Sequence, residues 1–219
     1  MIDKNLLDYL MAYLTDNRKQ LFDKVLSERT RHFTVVTEDV YQLHNTSAVM
    51  RSCDVFGIQD LHVVEEIEGK RIDKEIAMGA QKWVTLKRYH TIDTCIDTLK
   101  KEGYRIIATT PHQSSVSLQS FNVTQKAAFF FGKESYGLSE KVLNKADGFL
   151  KIPMYGFTES LNISVAVAIV LQQLVEKLKQ SSNAWQLSEE EINEVKMQWT
   201  TKSIKSAEAI IAHYYTNNS

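Results

Sequence analysis

The chain of 219 residues is poor in the residues that mark special architectures, with 2 prolines, 8 glycines and 2 cysteines. So little proline and glycine excludes a collagen-like or low-complexity chain. Cys53 and Cys95 are too few for a disulfide scaffold and too far apart for a CxxC metal pair. The longest apolar stretch, residues 163–171, is about half of the ~20 residues a membrane span requires. The first twenty residues interleave charged and apolar side chains, unlike a secretory leader. These absences together predict a soluble, cytoplasmic, reduced protein without a membrane segment. Charge of one sign is missing too. With a formal net charge of −1, bulk attraction to nucleic acid is excluded, although a local basic patch is not.

Several catalytic signatures are also absent. No GxGxxG follows a strand-like run, and no GxSxG, HExxH or HxxxH occurs. The predicted metal content is therefore none. Gly132 and Gly137 follow an apolar run much as in a phosphate-binding loop. Such a loop needs Lys-Ser/Thr after its second glycine, whereas Leu138-Ser139 stands here, so a nucleoside triphosphatase is excluded.

What is present is a globular composition, 43% apolar and 24% charged. Residues 33–37, 61–65, 82–86, 104–109, 127–131 and 148–154 read as strands. Several are continuously apolar, as strands are when both faces of a parallel sheet are covered. Helical patterns lie between them at residues 45–56, 91–101, 138–146 and 160–179. This alternation predicts an α/β fold with a mostly parallel sheet and helices on both faces. The first thirty residues read as two short helices. Beyond residue 180, Ser188 and Glu191 form a capping-box pattern that opens a further helix. The predicted organisation is a helical extension (1–30), an α/β body (31–180) and a second helical extension (181–219).

Three segments carry candidate chemistry. The first runs from Asn45 to Arg51 at a strand-to-helix junction. Asn45 alone reads as a helix N-cap. Arg51, nearly two turns on, is expected near the same face, where it is a surface charge or a two-pronged phosphate grip. The second, Gly132-Lys-Glu134-Ser-Tyr-Gly137-Leu-Ser139, is a glycine turn leaving a buried strand, with Ser139 suited to cap the next helix. Ligands of open α/β sheets collect at that edge. The third, Ile152-Pro-Met154 followed by Ser160-Leu161-Asn162-Ile-Ser164, is a turn entering a helix.

In this order and at these intervals the three segments resemble the motifs of the SpoU/TrmH family of SPOUT-class RNA methyltransferases. The likeness extends over residues 31–178. It implies transfer of a methyl group from S-adenosylmethionine to a ribose 2′-hydroxyl by a homodimer without a metal. It also implies a deep C-terminal trefoil knot, formed by residues 107–168. Carried over position by position, Asn45, Arg51, Glu134, Ser160 and Asn162 match the family's catalytic set. Thr109, Gly132, Ile152, Met154, Ser160 and Leu161 match its cofactor pocket.

Short helical extensions at both ends are similar to the subgroup that methylates guanosine 18 in the tRNA D-loop. Another tRNA position, ribosomal RNA, or a non-catalytic RNA-binding role are the alternatives. Residues 18–31 hold five cations, Arg18, Lys19, Lys24, Arg29 and Arg31, against two carboxylates. With Lys196, Lys202 and Lys205 they form the expected tRNA contact, although composition alone favours a solvated helix face.

Overall fold

In a computed structural model of the chain, residues 2–40, 42–65, 77–111, 115–133 and 136–217 are described. They divide into two compact units, Thr30–Trp185 and a smaller one made of Met1–Arg29 with Gln186–Ser219.

The larger unit is built on a sheet of strands β1 (Phe33–Glu38), β2 (Asp60–Val64), β3 (Thr85–Tyr89), β4 (Arg105–Thr109), β5 (Val116–Ser117), β6 (Ala127–Phe131) and β7 (Gly148–Lys151). Every described pairing between strands is parallel, in the order β3-β2-β1-β6-β4-β7-β5. The helices of this unit are α3 (Leu43–Val55), α4 (Ile92–Lys101), α5 (Glu140–Lys145) and α6 (Ile163–Lys179).

Alternation along the strands explains the uniformly apolar runs. Phe33, Val35, Phe129 and Phe131 face α3 and α6, packing with Val49, Met50, Cys53, Val167, Leu171 and Leu174. Their neighbours Val36, Ala128 and Phe130 face the other way, against Ile92, Cys95, Ile96 and Leu99 of α4 and Val142 of α5. Successive side chains of a strand point to opposite faces, so a strand covered on both sides needs no polar position.

Boundaries move where tertiary contacts decide them. Residues 80–82 form a 3-10 turn rather than strand, and β3 begins at Thr85, because pairing with β2 starts at Asp60–Thr85. Strand β7 stops at Lys151, two residues before Pro153, which offers no N–H to a neighbour. Helix α6 begins at Ile163, three residues later than the apolar pattern predicts. The Asn162 side chain caps it by accepting from the Ser164 amide, leaving Ser160 and Leu161 in the preceding turn. Asn45 is not the cap of α3: that position is Gln42, and Asn45 lies inside the first turn.

The smaller unit brings the two predicted extensions together. Helices α1 (Lys4–Met11) and α2 (Asp16–Leu26) pack with α7 (Glu189–Ser203) and α8 (Ala207–Asn217). Phe22 meets Trp199 edge-on at 5.4 Å between ring centroids, and Tyr9 lies 5.0 Å from Tyr214. Ser188 and Glu191 form the predicted capping box at the start of α7.

Candidate active site

The chain starts its sheet in the middle, at β1, moves outward through β2 and β3, and returns to the other side through β4. Such a reversal opens a crevice beyond the C-terminal ends of the strands. A cavity of about 460 Å³ opens along this C-terminal edge, on the β6-β4-β7 side of the sheet, within the usual range for small-ligand sites. Its walls come from the ends of β4, β6 and β7, from the turn before α6, and from the start of α6. All six positions expected to hold a cofactor line it: Thr109, Gly132, Ile152, Met154, Ser160 and Leu161. Thr109 is held in place by donating its hydroxyl to the Phe130 carbonyl at 2.6 Å.

The glycine turn shapes one wall. Lys133 and Gly137 exchange backbone hydrogen bonds of 3.0 and 2.8 Å, which folds the turn back on itself. Gly132 lies so close under the return strand that a Cβ there would sit 2.2 Å from both the carbonyl carbon and oxygen of Gly137. Only glycine fits without opening the turn. Ser139 caps α5 as expected, since its hydroxyl accepts from the Val142 amide at 3.4 Å.

Two residues that pattern reading passed over hold this turn. The buried Glu38 carboxylate accepts the Ser139 amide at 2.9 Å and the Ser139 hydroxyl at 2.5 Å. Next to it, Asp39 pairs with Lys133 at 3.1 Å. A carboxylate at a strand end is a common sequence feature, and only its partner 101 positions away reveals its use.

The five expected catalytic positions are only partly brought together. Asn162 donates its side-chain amide to Asn45 Oδ1 at 3.1 Å, joining the first and third motifs across 117 positions. Asn45 is 2% exposed and donates in turn to Gln42 Oε1 at 3.2 Å. Asn162 Oδ1 accepts from both the amide and hydroxyl of Ser164. Ser160 lines the cavity nearby. Arg51 is exposed on α3, forms no ion pair among the described residues, and is not a lining residue. Six residues at 3.6 per turn leave Asn45 and Arg51 about 120° apart around the helix, so the shared face expected from spacing is not realised. Glu134 lies outside the described residues.

The expected RNA-contacting cations separate by burial. Arg29 is 1% exposed, with its guanidinium 5.3 Å from the Trp199 ring centroid. It is a core residue of the smaller unit, so its inclusion in an exposed patch is corrected. Arg31 is of intermediate burial, its side chain 13% exposed, and it pairs with buried Asp60 at 3.2 Å. Lys196 pairs with Asp23 at 2.6 Å and Lys19 with Asp16 at 3.2 Å. Arg18, Lys24, Lys202 and Lys205 are exposed, and partial desolvation lowers the pKa of Lys202. No group of three or more His, Cys, Asp or Glu among the described residues could hold a metal ion. No described helix is long and apolar enough to cross a membrane.

Parallel strands with a glycine-walled cavity at their C-terminal edge are the frame of an α/β enzyme that binds a small ligand there. The model of the SpoU rRNA methylase family matches residues 32–172, more than half of the chain, and the chain belongs to that family. Among its curated relatives, the tRNA (guanosine(18)-2′-O)-methyltransferase of Borreliella burgdorferi is 39% identical over 92% of this chain and 92% of its own length. The enzyme of the same name from Thermus thermophilus is 36% identical over 74% of this chain and 83% of its own. Of the solved structures, the A. aeolicus TrmH/SpoU tRNA modifying enzyme superposes with a TM-score of 0.78. It shares 30% identity and is matched over 87% of this chain and 98% of that one.

Proposed function

We propose that this protein transfers a methyl group from S-adenosylmethionine to the ribose 2′-oxygen of guanosine 18 in tRNA. The observation that carries the reading is the convergence on one cavity of all six positions expected to hold the cofactor. The Asn45–Asn162 bond stands directly beside it, since Asn162 lies between two lining residues, Leu161 and Ile163. Relatives at 30–39% identity over most of the chain, named for guanosine 18, support the substrate.

The cavity suits an adenosyl group. Phe131, Leu138, Leu150 and Ile152 offer apolar surface for the adenine ring, and the glycine turn borders it. The Glu159 carboxylate, also in the lining, complements a cationic ligand. When bound, S-adenosylmethionine supplies an electrophilic methyl on a sulfonium, a good leaving group that needs no metal.

A ribose hydroxyl is a weak nucleophile, so its oxygen must be aligned and its proton removed. The amides of Asn45 and Asn162 present a fixed donor–acceptor pair for orienting the sugar. Arg51, exposed, grips an RNA phosphate with its planar fork, and the proton leaves through water. A guanidinium holds its proton too firmly to serve as a base, so the grip is its role. Glu134 is the remaining member of the set that the family likeness implies.

Further parts of the reading follow from family membership. Residues 107–168 thread into the trefoil knot, supported by the adjacency of β1, β6, β4 and β7 out of chain order. The enzyme acts in the cytoplasm as a homodimer, supported by the exposed apolar side chains Val55, Tyr155, Phe157 and Val165, which a second copy would cover. The tRNA contact is carried by Arg18, Lys19, Lys24, Lys196, Lys202 and Lys205.

The test is methyl incorporation from labelled S-adenosylmethionine into unmodified tRNA, followed by nucleotide-resolved mapping. Methylation at guanosine 18 supports the assignment, and methylation elsewhere or none overturns it. Arg51→Ala is expected to abolish transfer while cofactor affinity stays near wild type. A parallel loss of both would defeat the role given to Arg51.

A further inference from the structure

The turn between Gly132 and Ser139 has to keep a fixed shape, because Gly132, Lys133, Tyr136, Gly137 and Leu138 all line the cavity. Backbone bonds join Lys133 to Gly137 within it. Both of its ends are held from elsewhere, by two consecutive residues where β1 leaves the sheet. Glu38 accepts the amide and hydroxyl of Ser139 at the far end, and Asp39 pairs with Lys133 at the near end.

The local backbone explains how two neighbours reach one turn. Consecutive side chains in a strand point to opposite faces, so a regular strand would send Glu38 and Asp39 apart. Asp39 has a φ of +48°, in the left-handed region that costs a non-glycine residue about 1–2 kcal/mol. The alternation breaks there, and both carboxylates meet residues of the glycine turn. The Asp39 amide is satisfied by the Val64 carbonyl at 2.9 Å, which anchors the bend to β2.

The bonds to Ser139 also set its hydroxyl. With its proton given to Glu38, its lone pairs face the Val142 amide that it caps. Glu38 is 6% exposed, and a buried carboxylate that accepts two donors is stronger than a neutral acceptor in its place.

We infer that Glu38 and Asp39 are positioning residues that clamp both ends of the glycine turn and so hold the cofactor-facing wall of the cavity. The connection from β1 to α3 then serves as a hub. It grips the second motif through Glu38 and Asp39, and seven positions beyond Glu38 it grips the third through Asn45 and Asn162. This inference rests on the assignment of the cavity to S-adenosylmethionine.

The experiment compares wild type with Glu38→Gln, Ser139→Ala, their double variant and Asp39→Asn. Calorimetry measures S-adenosylmethionine affinity, and steady-state kinetics gives KM for each substrate and kcat. A glutamine can accept only one of the two Ser139 donors, so Glu38→Gln should weaken cofactor binding about tenfold. KM for tRNA and kcat at saturating cofactor should stay within about threefold. Ser139→Ala should match it, and the double variant should be no worse than the poorer single, because both remove one link. Asp39→Asn keeps the buried carboxylate and should cost about threefold, so it tests the clamp even if Glu38→Gln does not fold. Unchanged cofactor affinity in the folded variants, or multiplying effects in the double variant, would overturn the clamp. A wild type that binds no S-adenosylmethionine would instead overturn the assignment of the cavity.

Discussion

Replacing Gly132 by alanine is the sharpest test of the cavity wall. The added Cβ would lie 2.2 Å from the carbonyl carbon and oxygen of Gly137 and 2.3 Å from the Leu138 nitrogen. Carbon atoms in contact settle near 3.5–4.0 Å, so the turn must open by more than about 1 Å. Opening it breaks the two bonds between Lys133 and Gly137, at 3.0 and 2.8 Å. Each contributes about 0.5–1.5 kcal/mol, so the loss is about 1–3 kcal/mol before any repacking. For a chain of this size 1 kcal/mol moves the melting point by about 2–4 °C. If cofactor binding must rebuild the native turn, the same energy weakens affinity about 5- to 150-fold. Gly137→Ala is the internal control: its φ of +69° strains an alanine, but a Cβ there meets nothing within 4 Å. Thermal melting and calorimetric titration with S-adenosylmethionine read both effects. Gly132→Ala that melts and binds as wild type would refute the steric reasoning.

The Asn162 side chain has two separable duties, capping α6 and donating to Asn45. Asn162→Asp keeps the cap and loses the donor. It should melt within a few degrees of wild type yet lose at least tenfold in turnover, whereas Asn162→Ala should lose about 1 kcal/mol of stability as well. Equal turnover in Asn162→Asp and wild type would detach the amide pair from catalysis. Acid stability offers a test away from the site. His62 is buried, and burial together with the nearby Lys87 charge lowers its pKa to about 3. Its imidazole stays neutral in the fold but takes a proton in the unfolded chain below about 6.5. Stability is therefore full above that pH and falls as pH drops from there towards about 3, by up to about 1.4 kcal/mol per unit. His62→Gln should flatten the slope in urea melts at pH 7, 6 and 5, and an unchanged slope would refute the assignment.

The amino-acid order alone determined the longer strands and helices, though not the short β5, because strands buried on both faces must be continuously apolar and the capping serines announce helix starts. The runs at residues 33–37 and 127–131 and the capping box at Ser188 were readable on those grounds. The cavity positions were legible only through the resemblance to a known family, and of them Gly132 alone shows a steric reason for its residue type in the fold. Distance in the chain hid the rest. Nothing local announces that Glu38 and Asp39 would meet a turn a hundred positions away, or that Asn45 would take its bond from Asn162. Nor does charge reveal burial: Arg29 reads as one more surface cation until Trp199 covers it. Local propensity is written residue by residue, whereas the partner of a polar side chain exists only once the chain has packed, and packing alone decided which charges remained in water.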